Sequence, residues 1–280
     1  MSKGLLDPKV DFVFKNIFGS PNHPEILISF LNATLKAKKK IVNVDIKKTD
    51  IEKQYIEDKY SRLDVKATTS NDEIINIEIQ LKNENNMVKR SLYYLSKMYE
   101  EQLNEKEDYS KLVRTVCINI LNFKYLKTDN FHTGYRFKEI ESNEELTDIM
   151  EVHFIEIPKL QDSSDEKDML VAWTEFLKDP ESEKVRGLEL SIEEIRQAKD
   201  ELIRMSNDST QRELYDMRAN SLRDKMSELN AAERKGIEKG REEGRKEEKI
   251  KIARNMKLSG IDTNTIAKIT NLSEDEIDKL

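Results

Sequence analysis

A mixed α/β domain followed by an all-helical C-terminal region is expected from three features of the chain. Apolar residues recur every three to four positions before residue 40 and switch to strict alternation from Ile41 onward. Strand-like runs continue to Ile157 with one helical interruption near residues 87–103. Beyond Gln161 no run with a period of two is left.

Each element has a local reason. Asp7 and Pro8 are expected to open a first helix as acidic N-cap and first-turn proline, and Gly19 to close it. Val10, Val13, Phe14, Ile17 and Phe18 form its apolar stripe, and Asp11 and Lys15 stand one turn apart on the polar flank. A second helix over 24–38 carries Leu27, Phe30, Leu31, Thr34 and Leu35, and Lys38, Lys39 and Lys40 suit its C-terminal dipole. Alternation then predicts strands at 41–46, 60–67 and 74–81. A helix over 87–103 follows, with Leu92, Leu95, Tyr99 and Leu103 facing inward, and then a buried strand at 111–121 around Val113, Val116, Ile118 and Ile120. Two further strands are expected at 135–140 and 150–157, the latter stopped by Pro158.

Residues 1–160 therefore read as the α/β domain. Residues 161–250 read as a helical region, with helices near 169–177 and 192–205 and a long charged helix or helix pair over 209–255. Inside that stretch Gly236, Gly240 and Gly244 each cost about 1 kcal/mol relative to alanine, which predicts a weak or hinged segment. Residues 251–280 have the rhythm of a small helix-turn-helix. The last helix would open Ser273-Glu274-Asp275-Glu276, which caps well but presents carboxylates where a DNA reader presents donors or cations. That favours packing or protein contact over base reading.

Composition narrows the chemistry. In 280 residues there are 48 Lys and Arg against 55 Asp and Glu, a net charge of −7, which does not suit a nonspecific nucleic-acid coat. The single Cys117 rules out a disulfide framework, and three scattered histidines, His23, His132 and His153, leave no zinc-type cluster. Metal chemistry here has to use oxygen ligands. No apolar run approaches the roughly 20 residues that span a bilayer and no signal-peptide core is present, so a cytoplasmic protein with no membrane partner is expected.

The most informative segment is Arg62-Leu63-Asp64-Val65-Lys66-Ala67, a polar turn, then Ile75-Asn76-Ile77-Glu78-Ile79-Gln80-Leu81. Alternation puts Leu63, Val65, Ala67, Ile75, Ile77, Ile79 and Leu81 on one face, and Arg62, Asp64, Lys66, Asn76, Glu78 and Gln80 on the other. A hairpin symmetric about Asn71 sets Asp64 opposite Glu78, where like charges repel unless a shared cation binds them. Mg²⁺ prefers one or two carboxylates plus water and phosphate oxygens, so the pair suits it or another divalent ion. Gln80 points into the same space, and Lys66 beside Asp64 would offset phosphate charge. Taken alone, charged alternation favours the plainer alternative of a polar face turned to water.

Five segments in order, Phe12-Val-Phe-Lys15-Asn-Ile-Phe-Gly19, Leu27-Ile-Ser-Phe-Leu-Asn32, Leu63-Asp64-Val-Lys-Ala67, Asn76-Ile-Glu78-Ile-Gln80 and Arg90-Ser-Leu-Tyr-Tyr94, resemble the Rpn family of recombination-promoting nucleases and transposases, within the PD-(D/E)XK nuclease superfamily. The resemblance covers about residues 5–160 and implies an αβββαβ core with a mixed sheet and metal-dependent DNA endonuclease activity. It raises the metal-site reading above the solvated one. By position it implies Asp64 and Glu78 as the metal ligands, and Gln80 where the broader superfamily has lysine. With that departure the cation near the phosphate is left to Lys66, Lys82 or Lys15. Asp11 is an accessory acid or the partner of Lys15, and Arg90 and Tyr93 either contact phosphate or pack. The expected function is Mg²⁺-dependent cleavage of DNA that promotes recombination or mobile-element movement or defends against foreign DNA. The alternative is a noncatalytic DNA-binding or assembly protein on the same fold. DNA is the expected partner, and the helices after Gln161 either join two chains in a homodimer or cover the sheet of their own core.

Overall fold

The computed structural model describes residues 4–37, 39–47, 65–165 and 167–280. Helices α1 (Asp11–Phe18) and α2 (Pro24–Leu35) precede β1 (Val44–Lys47), β2 (Val65–Thr69) and β3 (Ile74–Gln80). Helix α3 (Met87–Glu100) leads to β4 (Thr115–Leu121), β5 (His132–Lys138) and β6 (Glu145–Glu156). The strands form one mixed sheet in the order β1-β2-β3-β4-β6-β5. β3, β4 and β6 are parallel, and the remaining pairs are antiparallel.

Asp7 does not cap α1. Its carboxylate accepts from the Lys9 N–H at 2.9 Å and its carbonyl from the Val10 N–H at 3.1 Å, a turn that delays the helix to Asp11. The predicted stripe is nevertheless buried from Val10 to Phe18. Phe18 stacks on Phe14 at 4.6 Å and meets Phe30 and Trp173 edge-on at 5.4 and 5.3 Å. Trp173 belongs to α4 (Met169–Lys178), which with α5 (Glu183–Glu189) and α6 (Glu193–Asn207) packs beside α1 and α2 in the same chain. These helices complete the core instead of forming an appendage to it. The chain divides into two compact units, residues 1–219 and 220–280, so the boundary expected at residue 160 falls inside the first.

α3 covers the opposite sheet face. Its buried residues are Met87, Ser91, Tyr94, Leu95 and Met98, whereas Leu92 is 49% exposed, contrary to the inward face expected of it. The phase is set by a polar contact, the Ser91 hydroxyl donating to Asn119 Oδ1 at 2.8 Å, flanked by Met87 and Leu95 on Cys117 and Leu121. A search for apolar periodicity alone does not see that contact.

α7 (Ser209–Leu258) is continuous over 50 residues through all three glycines, so the expected hinge is absent. Its C-terminal end packs with α8 (Thr263–Thr270) and α9 (Glu274–Asp278) around Ala253, Ile266, Leu272 and Ile277. Among the described residues no helix is long and apolar enough to cross a membrane.

Candidate active site

β2 and β3 pair as the sequence pattern requires, with Val65 opposite Ile77, Lys66 opposite Asn76 and Ala67 opposite Ile75, a register centred on Asn71. Asp64, with Arg62 and Leu63, lies outside the described residues. Glu78 sits mid-strand in β3 beside Asn119 of β4 and is 1% exposed. The polar face of the hairpin is thus covered by α3, and the solvated alternative does not describe Glu78.

Arg90, in the first turn of α3, donates from Nε to Glu78 Oε2 at 3.2 Å. Its guanidinium lies 5.3 Å over the Tyr94 ring, and the side chain is 17% exposed. Glu78 Oε1 is buried and has no hydrogen-bond partner among the described residues. Burial raises the Glu78 pKa, and the opposing pull of Arg90 and of an Asn76 hydrogen bond does not cancel it. A buried carboxylate oxygen with a free lone pair fits a hard cation that seeks oxygen donors. Among the described residues no group of three or more His, Cys, Asp or Glu is close enough to hold a metal.

The remaining candidates divide. Gln80 ends β3, two positions from Glu78 and on its face. Lys66 directs its ammonium to Glu101 Oε2, 3.9 Å away at the C-terminal end of α3. Asp11 pairs with Arg218 of α7 at 3.5 Å, and its other oxygen accepts from the Phe12 N–H at 2.7 Å. Lys15 is half-buried on α1. Tyr93 is 50% exposed and rests edge-on against Tyr94 at 5.7 Å. The structure therefore brings Arg90 to Glu78 and turns Tyr93 outward.

Sequence reading missed the buried polar support. Asn76 and Asn119 are both fully buried on the Glu78 face, and Asn119 Nδ2 donates to the His153 carbonyl at 3.1 Å. The Ser91–Asn119 bond docks α3 at the position that sets Arg90 over Glu78. The available signal was a lone asparagine within the apolar run Val116-Cys-Ile-Asn-Ile-Leu121. Cys117, between these asparagines, is buried, and its thiol pKa is pushed up to about 12 by burial, then by Glu78. It is an inert core residue.

Residues 8–232 match the PD-(D/E)XK nuclease family transposase. Residues 246–280 match the C-terminal HTH domain of the Rpn/YhgA-like nuclease family. No curated protein and no solved structure gives a significant match. A mixed sheet with a buried Glu78 two positions before Gln80 on a central strand, flanked by helices on both faces and followed by a small helix-turn-helix, agrees with both matches. The chain belongs to the PD-(D/E)XK nuclease family of transposase-like proteins.

Proposed function

We propose that this protein is a divalent-metal-dependent endonuclease that hydrolyses DNA phosphodiester bonds, with Mg²⁺ the expected ion and recombination or mobile-element movement its use. The observation that carries the reading is Glu78 Oε1, a buried carboxylate oxygen without a partner on the central strand of a nuclease-family fold. In this reading Asp64 and Glu78 hold the ion, which would lower the pKa of bound water and offset charge on the phosphate. Arg90 aims Glu78 and opposes the effect of burial on its ionisation, and Gln80 orients the water or the scissile phosphate. Lys66, Lys15 and Lys82 are the candidate phosphate cations, and Asp11 and Tyr93 are accessory. A second copy of the chain would place two such sites on one duplex, which light scattering of the full chain tests.

The decisive experiment is nicking of supercoiled plasmid by the full chain with Mg²⁺ and with EDTA. Cleavage should require the ion, and Glu78→Gln and Asp64→Asn should each lower it by about 100-fold or more with unchanged circular dichroism. Equal cleavage by wild type and both variants would refute the assignment. No cleavage under any divalent ion, with DNA binding retained, would favour the noncatalytic alternative.

A further inference from the structure

The second unit poses an electrostatic problem for a DNA-directed protein. In the HTH match the third helix, α9, is five residues long and begins with Glu274, Asp275 and Glu276, locked by a capping box between Ser273 and Glu276. Carboxylates there repel phosphates, so the contacts that give affinity must come from another surface of the unit. The unit has 14 Lys and Arg against 13 Asp and Glu, and the remainder of the chain has 34 against 42. The basic residues are therefore concentrated in the second unit, and within it on α7.

Some of those cations are already engaged. Lys257 donates to the carbonyls of Ile277 and Asp278 at 2.9 and 3.0 Å, Lys239 lies 3.7 Å from Glu243, and Lys246 acts on Glu276. Arg234, Arg241, Arg245 and Lys249 differ. All four are exposed, and none is ion-paired among the described residues. At about 100° per residue they fall within an arc of about 80° on one side of the helix. Glu238 is the one carboxylate inside that arc, and Glu242 and Glu248 border it. Gly236, Gly240 and Gly244 lie on the far side.

We infer that this stripe of α7 is a phosphate-contacting rail for duplex DNA. Arg241, Arg245 and Lys249 stand about 6 Å apart along the axis, on the order of the separation of successive phosphates along one strand. The continuous helix therefore presents successive cations to neighbouring phosphates. Arginine suits the role because its guanidinium binds phosphate oxygens in a bidentate manner. The rail supplies sequence-independent affinity, and α9 takes no part in it. This inference rests on the DNA-directed reading above.

The test is fluorescence anisotropy of a labelled duplex of about 25 base pairs with the full chain in EDTA at 50–200 mM KCl, so that cleavage plays no part. The triple variant Arg241→Gln, Arg245→Gln, Lys249→Gln should weaken binding at least about tenfold at 100 mM salt. It should also reduce the slope of log affinity against log salt by about 2 to 3. Lys251→Gln with Arg254→Gln, on the far side of α7, should change the slope by less than about 0.5. An unchanged slope in the triple variant, an equal loss in the far-side variant, or tighter binding to single-stranded RNA than to the duplex would overturn the rail. Absence of nicking by the wild-type chain, with duplex binding retained and its salt slope lowered in the triple variant, would refute the nuclease reading and leave this one standing.

Discussion

Glu78 and Arg90 form an ion pair in which one partner is almost fully buried, and such pairs are costly to break from one side. Arg90→Leu should lower stability by about 3–5 kcal/mol at pH 7, because it leaves a carboxylate buried and unpaired. Arg90→Leu combined with Glu78→Leu should recover most of that loss, as urea unfolding of the two variants would show. Additive losses would mean the pair is not coupled. His132 provides a second case. Its Nε2 lies 2.9 Å from His153 Nδ1, and His153 Nε2 lies 2.7 Å from Glu151 Oε1. Burial, then the neighbouring His153 and Lys36, lowers the His132 pKa to about 4. An unfolded histidine titrates near 6.5, so between 6.5 and 4 the unfolded chain binds a proton that the folded chain refuses. Stability therefore falls as pH drops through that window, by about 2–3 kcal/mol at pH 4.5, and His132→Asn should remove this loss. Glu151 acts in a separate, lower window. Burial opposes its ionisation, but hydrogen bonds from His153 and Arg114 hold its pKa at about 2, so its contribution disappears only below about 4.5. Unfolding free energies at pH 7.0 and 4.5 for wild type and His132→Asn separate the two groups.

Helix α7 is continuous although its three glycines weaken it. An added Cβ at Gly236, Gly240 or Gly244 would meet no atom within 4 Å, so nothing among the described residues requires glycine at these positions. Each Gly→Ala substitution should therefore raise the stability of the second unit by up to about 1 kcal/mol, read as a higher melting temperature and helical signal. A decrease would show that the helix must bend. Helix α3 shows the opposite limit of pattern reading. Leucine content assigned Leu92 to the core, yet the Ser91–Asn119 bond rotates the helix so that Leu92 faces out and Arg90 faces Glu78. The sheet beneath was easier to anticipate, because alternation about Asn71 has one register that keeps Val65, Ala67, Ile75 and Ile77 together.

The first unit extends to Ala219 because α1 and α2 need covering. Trp173, Phe176, Leu202 and Met205 are all fully buried, and the N–H of Leu6, near the start of the chain, donates to the Ser206 hydroxyl oxygen at 3.0 Å. A chain truncated after Ala219 should unfold cooperatively with a midpoint near that of the first unit in the full protein. A chain truncated after Leu160 would expose Phe14, Phe18, Phe30 and Leu31 and should aggregate or fail to fold. Size-exclusion chromatography and thermal melts of the two truncations test this, and a well-folded chain ending at Leu160 would contradict it.

The identity of the α/β core, the hairpin register and the placement of Glu78 and Gln80 on one face of β3 were legible in the sequence, because side-chain period and turn position are local properties. So was the helix-turn-helix rhythm after residue 251, which the family match supports. Three features were not legible. The burial of Glu78, the docking of Arg90 upon it and the return of α4 to α6 onto α1 and α2 each depend on residues far apart in the chain. Alternation reports that a strand has two unlike faces. Whether the polar face meets water or a helix depends on how much apolar surface elsewhere remains to be covered. Here α3 covers it, held by one serine and one asparagine, and that contact turns a charged strand face into a buried carboxylate with an oxygen to spare.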